Sequence, residues 1–202
     1  MLNAPDLAHV MPTIVPQDRQ GHGYRIVDYQ YFAAFPNLHP VRILYGFGAP
    51  VNGQRFTPRG GMETIYFAED LATAFDEVHP EQAIIRQHDP GLVLPVSPGG
   101  YAAIRYHLET VLDVTDPTVQ QILGTDMAEL TGHWRQARNR GQIPATQRLG
   151  QAVYDSGLFQ AIWYESARVP GTYCLAAFPD RLTAPSFLEV YDPNGNFQER
   201  VP

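Results

Sequence analysis

The feature of this sequence that most limits its fold is a series of short runs rich in β-branched and aromatic residues. Turn-forming glycine, proline and aspartate residues separate these runs, and this is the pattern expected of strands joined by short connections. The predicted strands cover residues 24–27, 41–45, 64–67, 106–114, 161–164, 173–178 and 187–191. Strands this short must share a sheet to bury their apolar faces.

Two segments between these runs carry helix signals, and a third carries weaker ones. The acidic pair Glu69 and Asp70 precedes the first segment, and negative side chains stabilise a helix N-terminus. Pro144 precedes the second segment and Gly157 follows it, as is typical of helix ends. The predicted helices are Leu71–Val78, Ala145–Ser156 and a stretch around residues 119–134 that is interrupted by Gly124 and Gly132. Together the segments predict an α+β fold, with one mostly antiparallel sheet and flanking helices.

Length and composition favour one domain. The chain has 202 residues, of which 44% are hydrophobic, and this is enough to bury a continuous core. We expect that domain to span residues 23–202. Residues 1–22, with Pro5, Pro12 and Pro16 and no sustained hydrophobic period, are expected to form an irregular N-terminal arm. Because no apolar run is long enough to span a membrane and the N-terminus lacks a secretory signal pattern, we expect a soluble, cytoplasmic protein.

The charged residues exclude several kinds of chemistry. A net charge of -7 argues against a surface that binds nucleic acid by neutralising its phosphates. All 14 basic residues are arginine, so lysine Schiff-base chemistry and a phosphate-loop lysine are excluded. The single cysteine, Cys174, cannot form an internal disulfide, and the histidines show no metal-ligand spacing, so we expect no metal site. Any phosphate must be held by arginine, backbone amides or hydroxyls.

A glycine-rich segment with two arginines is the first candidate binding element. Residues 53–61 contain Arg55, Arg59 and Pro58 between glycines and lead into a predicted strand that includes Tyr66. Glycine lets the backbone approach a pyrophosphate closely, and arginine pairs bidentately with phosphate oxygens. On spacing alone, however, a surface turn with solvated arginines is the better interpretation.

A glutamate and a serine complete the candidate site. Glu77 falls on the same side of its predicted helix as Ala74 and Val78, although a rim residue that reaches water would give the same pattern. Ser166 follows a predicted strand, where it can orient a carboxylate or a ribose hydroxyl. No Gly-x-Ser-x-Gly motif surrounds Ser166, so it is a poor candidate nucleophile.

Seven segments in a fixed order between about residues 24 and 191 resemble the RES family, which is named for an arginine, a glutamate and a serine. The matching segments are residues 24–26, 53–56 with 60–61, 65–68, 74–78, 111–116, 145–150, and 164–168 followed by 176–178. The sequence departs from many relatives at Gln54 and Phe56, where Gly-Arg-Trp is usual around Arg55, and at Ala68, where Ser or Thr is frequent. The departures put the fine substrate preference in doubt.

The resemblance implies a fold similar to that of ADP-ribosyltransferase toxins and an activity that consumes NAD+. Family members cleave the nicotinamide–ribose bond by phosphorolysis or hydrolysis, and one branch transfers ADP-ribose to a protein. By position, Arg55, Glu77 and Ser166 are the expected catalytic residues, and Arg25 and Tyr66 the expected NAD+-binding residues. NAD+ is then the expected substrate, and inorganic phosphate is a candidate co-substrate. No further cofactor is expected.

The resemblance also assigns expected roles and a partner. Glu77 would stabilise positive charge on the ribose, Arg25 and Arg55 would hold phosphate groups, Tyr66 would stack on nicotinamide or its ribose, and Ser166 would orient Glu77 or the ribose. The expected partner is an Xre-like, DNA-binding antitoxin, and homo-oligomerisation stays open. Two alternatives remain, an ADP-ribosyltransferase with a protein target and an inactive module that binds a nucleotide or a partner.

Overall fold

The computed structural model describes residues 1–29, 43–88, 99–195 and 197–202. The strands are β1 (Gln17–Asp28), β2 (Ile65–Ala68), β3 (Gly99–Asp113), β4 (Ala161–Glu165), β5 (Tyr173–Ala177), β6 (Phe187–Val190) and β7 (Arg200–Val201). The helices are α1 (Ala4–Val10), α2 (Gly48–Asn52), α3 (Leu71–Val78), α4 (Pro80–His88), α5 (Pro117–Leu123), α6 (Met127–Leu130), α7 (Trp134–Asn139) and α8 (Ala145–Ser156). Short 3₁₀ helices occupy Met11–Thr13 and Pro179–Arg181.

The strands form one seven-stranded sheet in the order β1-β2-β5-β4-β3-β6-β7, and β1 also pairs with β3. Because β1 bonds to both β2 and β3, the first five strands of this order close into a ring. The β1–β3 pair is the longest, running from Gln17↔Val111 to Asp28↔Gly99. The β3–β4 pair is parallel and the other described pairs are antiparallel, which confirms the predicted α+β fold with a mostly antiparallel sheet.

Alternation along the strands sorts the apolar side chains into two core clusters. In β2, Ile65 and Phe67 belong to one cluster, whereas Ala68 belongs to the other, as the two-residue period of a strand requires. The cluster that contains Ile65 draws its residues mainly from strands β1–β6. The other cluster packs the sheet against the helices, with Leu7 of α1 and Leu149 of α8 fully buried in it.

Six of the seven predicted strands are confirmed, with shifted ends. The exception is the run at residues 41–45, of which the structure describes 43–45; Ile43 and Leu44 form a turn, and Tyr45 is not in a strand. Ile43 and Leu44 are nevertheless buried in the strand cluster. The Leu44 amide donates to Glu199 Oε2 at 3.0 Å, so a side chain replaces a neighbouring strand as its acceptor.

The expectation of an irregular N-terminal arm is wrong. Asn3 caps α1 by accepting from the Asp6 amide, and α1 packs against α8. Pro5 and Pro12 stand in the first turns of helical segments, where proline is tolerated, so they begin these segments rather than break them. The predicted boundary between residues 22 and 23 falls inside β1.

The two strongly predicted helices are confirmed as α3 and α8, while the stretch around residues 119–134 divides into three short helices. Helix α5 ends at Gly124, whose φ of 59° lies in the left-handed region that favours glycine. Asp70 caps α3 by accepting from the Thr73 amide. Within the described ranges, no helix is long and apolar enough to cross a membrane.

Candidate functional site

A cleft of about 440 Å³ opens where β1, β2, α2, α3, α7 and the end of β4 meet. Four of the five predicted site residues line it: Arg25 on β1, Arg55 on the loop after α2, Tyr66 on β2 and Glu77 on α3. They converge because β1 pairs with β2 and because α3 begins only two residues after β2 ends.

The fifth residue, Ser166, is connected to the site by a hydrogen bond to Glu77. Its hydroxyl donates to Glu77 Oε1 at 2.6 Å, and the Ala167 amide donates to the same oxygen at 3.0 Å. Ser166 Oγ in turn accepts from the amides of Arg168 and Val169 at 3.1 and 3.2 Å. Ser166 is 1% exposed, so this turn after β4 holds the Glu77 carboxylate from a buried position.

Only one oxygen of the Glu77 carboxylate is used in this way. Oε2 has no hydrogen-bond partner in the part of the chain that the structure describes, and Glu77 lines the cleft. Charge-assisted hydrogen bonds are stronger than neutral ones and fix orientation. These hydrogen bonds therefore hold the negatively charged Glu77 carboxylate in a fixed orientation at the cleft.

Arg55 is a nearly buried cation, 5% exposed. Its Nη1 donates to the Glu165 carbonyl at 3.1 Å, and its guanidinium carbon lies 5.2 Å from the centroid of the Tyr164 ring. Nε and Nη2 are buried without a hydrogen-bond partner among the described residues. Unsatisfied donors on a buried charge are costly, so an anion in the cleft would satisfy them.

Side chains from distant helices hold the loop that carries Arg55. Arg138 Nη1 donates to the Asn52 carbonyl at 2.9 Å, and Gln147 Nε2 donates to the Gln54 carbonyl at 2.8 Å. Gly53 has a φ of 70°, which suits glycine alone at this turn. Side chains of α7 and α8 thus help to fix this loop, together with its own Gly53.

Tyr66 uses its hydroxyl for the same loop. It accepts from the Phe56 amide at 3.1 Å and shares a hydrogen bond of 2.8 Å with Thr57 Oγ1. Burial raises the pKa of Tyr66 well above its usual value, so the hydroxyl stays protonated. Stacking of its ring on nicotinamide stays a prediction.

Arg25 on β1 also lines the cleft. Its Nη2 donates to the Tyr45 carbonyl at 2.8 Å, which ties β1 to the segment before α2. The expected phosphate contact of Arg25 stays a prediction.

Three cleft residues were not found from the sequence: Tyr164, Trp134 and Arg135. Tyr164 belongs to a segment that resembles the RES family, but the sequence does not predict it as a site residue; its ring lies beside Arg55. Trp134 ends the stretch that predicts an interrupted helix and Arg135 follows it, and no local pattern marks either as a site residue. The fold brings this pair to Glu77 across more than fifty residues of chain.

Other reactive groups of the described residues offer no second chemistry at the site. Burial raises the pKa of the Cys174 thiol well above its usual range, which disfavours the thiolate. No group of three or more His, Cys, Asp or Glu side chains that could hold a metal ion occurs in residues 1–29, 43–88, 99–195 and 197–202.

A closed, mostly antiparallel sheet with flanking helices forms an α+β domain, and its cleft combines arginines with a fixed carboxylate. The RES domain family model matches residues 23–198, so the chain belongs to the RES family.

Comparison with solved structures supports the fold. A chain of the crystal structure of the M. tuberculosis MbcT–MbcA toxin–antitoxin complex is similar, with a TM-score of 0.60 and 17% sequence identity. The similarity covers 93% of this chain and 90% of that one. No curated protein sequence matches the chain.

Proposed function

We propose that this protein cleaves NAD+ at the nicotinamide–ribose bond and passes the ADP-ribosyl unit to phosphate or water. The observation that carries the proposal is the Glu77 carboxylate, fixed by Ser166 and the Ala167 amide in one cleft with Arg25 and Arg55. A carboxylate beside two arginines suits a ligand with a ribose that becomes cationic and a pyrophosphate that is anionic.

Cleavage sends the electron pair of the C–N bond to the nicotinamide ring, which leaves as a neutral molecule and needs no proton. The ribose left behind resembles an oxocarbenium ion. Glu77 Oε2, which has no hydrogen-bond partner among the described residues, would stabilise its positive charge. The two donor atoms of Arg55 that lack partners among the described residues would bind pyrophosphate oxygens, and Arg25 would supply a second positive charge. An oxygen of phosphate or water then supplies the electron pair for the new bond, and any surplus proton goes to solvent.

Toxicity restrained by a partner protein is the second part of the proposal. It is supported by membership of the RES family and by the similar fold found in a toxin–antitoxin complex. Phe47, Val51 and Val78, on or beside the elements that form the cleft, are 52%, 57% and 50% exposed. Apolar groups around an arginine-lined opening suit a protein partner that covers the cleft.

The test is incubation of the purified chain with NAD+, with and without inorganic phosphate, followed by mass spectrometry. We expect free nicotinamide together with ADP-ribose 1″-phosphate when phosphate is present, or ADP-ribose when water is the acceptor. Intact NAD+ in the presence of folded protein that binds it would overturn the proposal in favour of an inactive binding module. Mass added to the protein itself would instead favour transfer to a protein target.

A further inference from the structure

A second, smaller cavity of about 60 Å³ lies on the other side of Glu77. The turn between α6 and α7, the start of α7 and the turn after β4 form its walls. Glu77, Trp134 and Arg135 line both this cavity and the main cleft, whereas Arg25 and Arg55 line the main cleft and not this cavity. The two spaces therefore meet at the carboxylate.

Two guanidinium groups border the small cavity, those of Arg135 and Arg168. Neither makes a salt bridge or a side-chain hydrogen bond to another described residue. Arg168 Nε is buried without an acceptor. The Arg135 guanidinium carbon lies 4.6 Å from the ring centroid of its neighbour Trp134.

The described lining of this cavity carries two arginines and one carboxylate. Burial lowers the pKa of Arg135, the nearby Arg168 and Arg138 lower it further, and Glu77 and Glu81 raise it. Glu77 is the one carboxylate among the described residues that line the cavity, and Ser166 and Ala167 already occupy its Oε1. Two arginines that line one cavity without a salt-bridge partner among the described residues can together bind a tetrahedral oxyanion.

We infer that Arg135 and Arg168 form a binding site for a phosphate-type oxyanion beside Glu77, distinct from the contacts that Arg25 and Arg55 would make. The identity of the anion, either inorganic phosphate or a phosphate group of the dinucleotide, is inferred from the proposed function. If it is inorganic phosphate, the site places the acceptor next to the carbon that loses nicotinamide. A phosphate oxygen then supplies the electron pair for the new C–O bond as nicotinamide leaves with the old one.

The test measures phosphate binding without any turnover. The thermal unfolding midpoint of the purified chain is followed as inorganic phosphate replaces chloride at constant ionic strength, since a ligand that binds the native state raises this midpoint. The variants are Arg135→Gln and Arg168→Gln, with Arg135→Lys added because it keeps the charge and loses the planar fork. Arg140→Gln, at an exposed arginine that lines neither cavity, is the matched control.

We expect a saturable rise of the midpoint for the wild type and for Arg140→Gln. Each variant at positions 135 and 168 should weaken the phosphate response roughly tenfold or more, which corresponds to about 1.4 kcal/mol. An undiminished response in all of these variants, or a response that depends on Arg55 alone, would overturn the inference.

Equilibrium dialysis with NAD+ identifies the source of the anion. Loss of the phosphate response with unchanged NAD+ affinity supports a site for free phosphate. A loss of NAD+ affinity of similar size supports a site for the dinucleotide's phosphates, and unchanged values in both measurements contradict any anion site. Phosphate binding by a wild type that releases no nicotinamide would keep this site and refute the proposed function.

Discussion

Ser166 contributes to the site through the hydrogen bonds around its hydroxyl. One is donated to the Glu77 carboxylate, and two are accepted from the backbone amides of Arg168 and Val169. A hydrogen bond to a charged group contributes about 1.5–3 kcal/mol, and an amide left unsatisfied costs a similar amount. Ser166 is therefore both a structural residue and a positioning residue.

Removing the hydroxyl in Ser166→Ala should lower stability by about 1–3 kcal/mol in urea unfolding. It should also lower kcat for nicotinamide release by roughly tenfold or more with little change in KM, because the carboxylate loses its fixed direction. Adding Glu77→Gln should then cost less than it does in the wild type, since the two residues act together.

Ser186 provides a matched control for Ser166. It is also 1% exposed, donates to Gln160 Oε1 at 2.8 Å and accepts from the Glu109 amide at 3.1 Å, remote from the cleft. Ser186→Ala should lose comparable stability and keep its kcat. Equal kcat losses in both variants would show that Ser166 acts through stability alone.

Arg55→Lys should weaken NAD+ binding roughly tenfold, or about 1.4 kcal/mol. Lysine keeps the charge, but it cannot satisfy the Glu165 carbonyl and also present two further donors in a plane. Calorimetric titration with NAD+ checks this, with Arg140→Lys as the control. An unchanged dissociation constant for Arg55→Lys would show that Arg55 serves the fold and not the ligand.

Sequence reasoning reached some of these residues and missed others for a physical reason. Glu77 was visible because a carboxylate on an apolar helix face is unusual, and Arg55 because glycines surround it. Neither Trp134 nor Arg135 breaks a local pattern, and their relevance arises only from tertiary contact with α3. The roles of the five predicted residues still depended on resemblance, because no spacing defines them.

Among the secondary-structure elements, α8 decides where the Arg55 loop lies. A Cβ built on Gly150 would lie 1.8 Å from the Phe56 carbonyl oxygen, so the helix approaches the loop backbone as closely as glycine allows. Gln147 on the same helix holds the Gln54 carbonyl. The loop therefore takes its shape from the surface of α8.

Gly150→Ala should destabilise the protein by roughly 2 kcal/mol, although alanine is normally favoured over glycine inside a helix by up to about 1 kcal/mol. The added methyl group must push the loop or the helix away, so NAD+ affinity should fall as well. Urea unfolding measures the first effect. Gly48→Ala is the stability control, because a Cβ at this helical position meets nothing within 4 Å. A higher free energy of unfolding for Gly150→Ala than for the wild type would contradict the packing described.

The elements also show where pattern reasoning succeeds and where it fails. Strands β2, β4 and β5 and helices α3 and α8 follow their local signals, because alternation and caps agree with the final packing. The sequence does not predict α1 and the 3₁₀ helix that follows it, because proline is normally a residue that interrupts helices. Pro5 and Pro12 instead stand in the first turns of these two segments. The closure of the ring through β1 and β3 is a long-range pairing that no local pattern specifies.

At the scale of the whole molecule, the cleft opens to solvent with its carboxylate already held in place, so the proposed activity needs an external restraint. We expect the wild-type chain to slow growth and lower intracellular NAD+ when it is produced alone in a bacterium. Glu77→Gln should do neither, and co-production with a cognate antitoxin should relieve the effect. A soluble, abundant wild-type chain that changes neither growth nor NAD+ would contradict the toxin proposal.

We propose that the charge of Glu77 drives cleavage of NAD+, and the rate of nicotinamide release by Glu77→Gln measures this contribution. Glutamine keeps the shape and can still accept from Ser166 and Ala167, so the fold should persist, with the urea midpoint lowered at most by the difference between charged and neutral hydrogen bonds. Glu81→Gln, at an exposed glutamate on α4, controls for the change in net charge. We expect a loss of roughly a hundredfold or more for Glu77→Gln and none for Glu81→Gln; a Glu77→Gln rate within a few-fold of the wild type would refute the proposed role of Glu77.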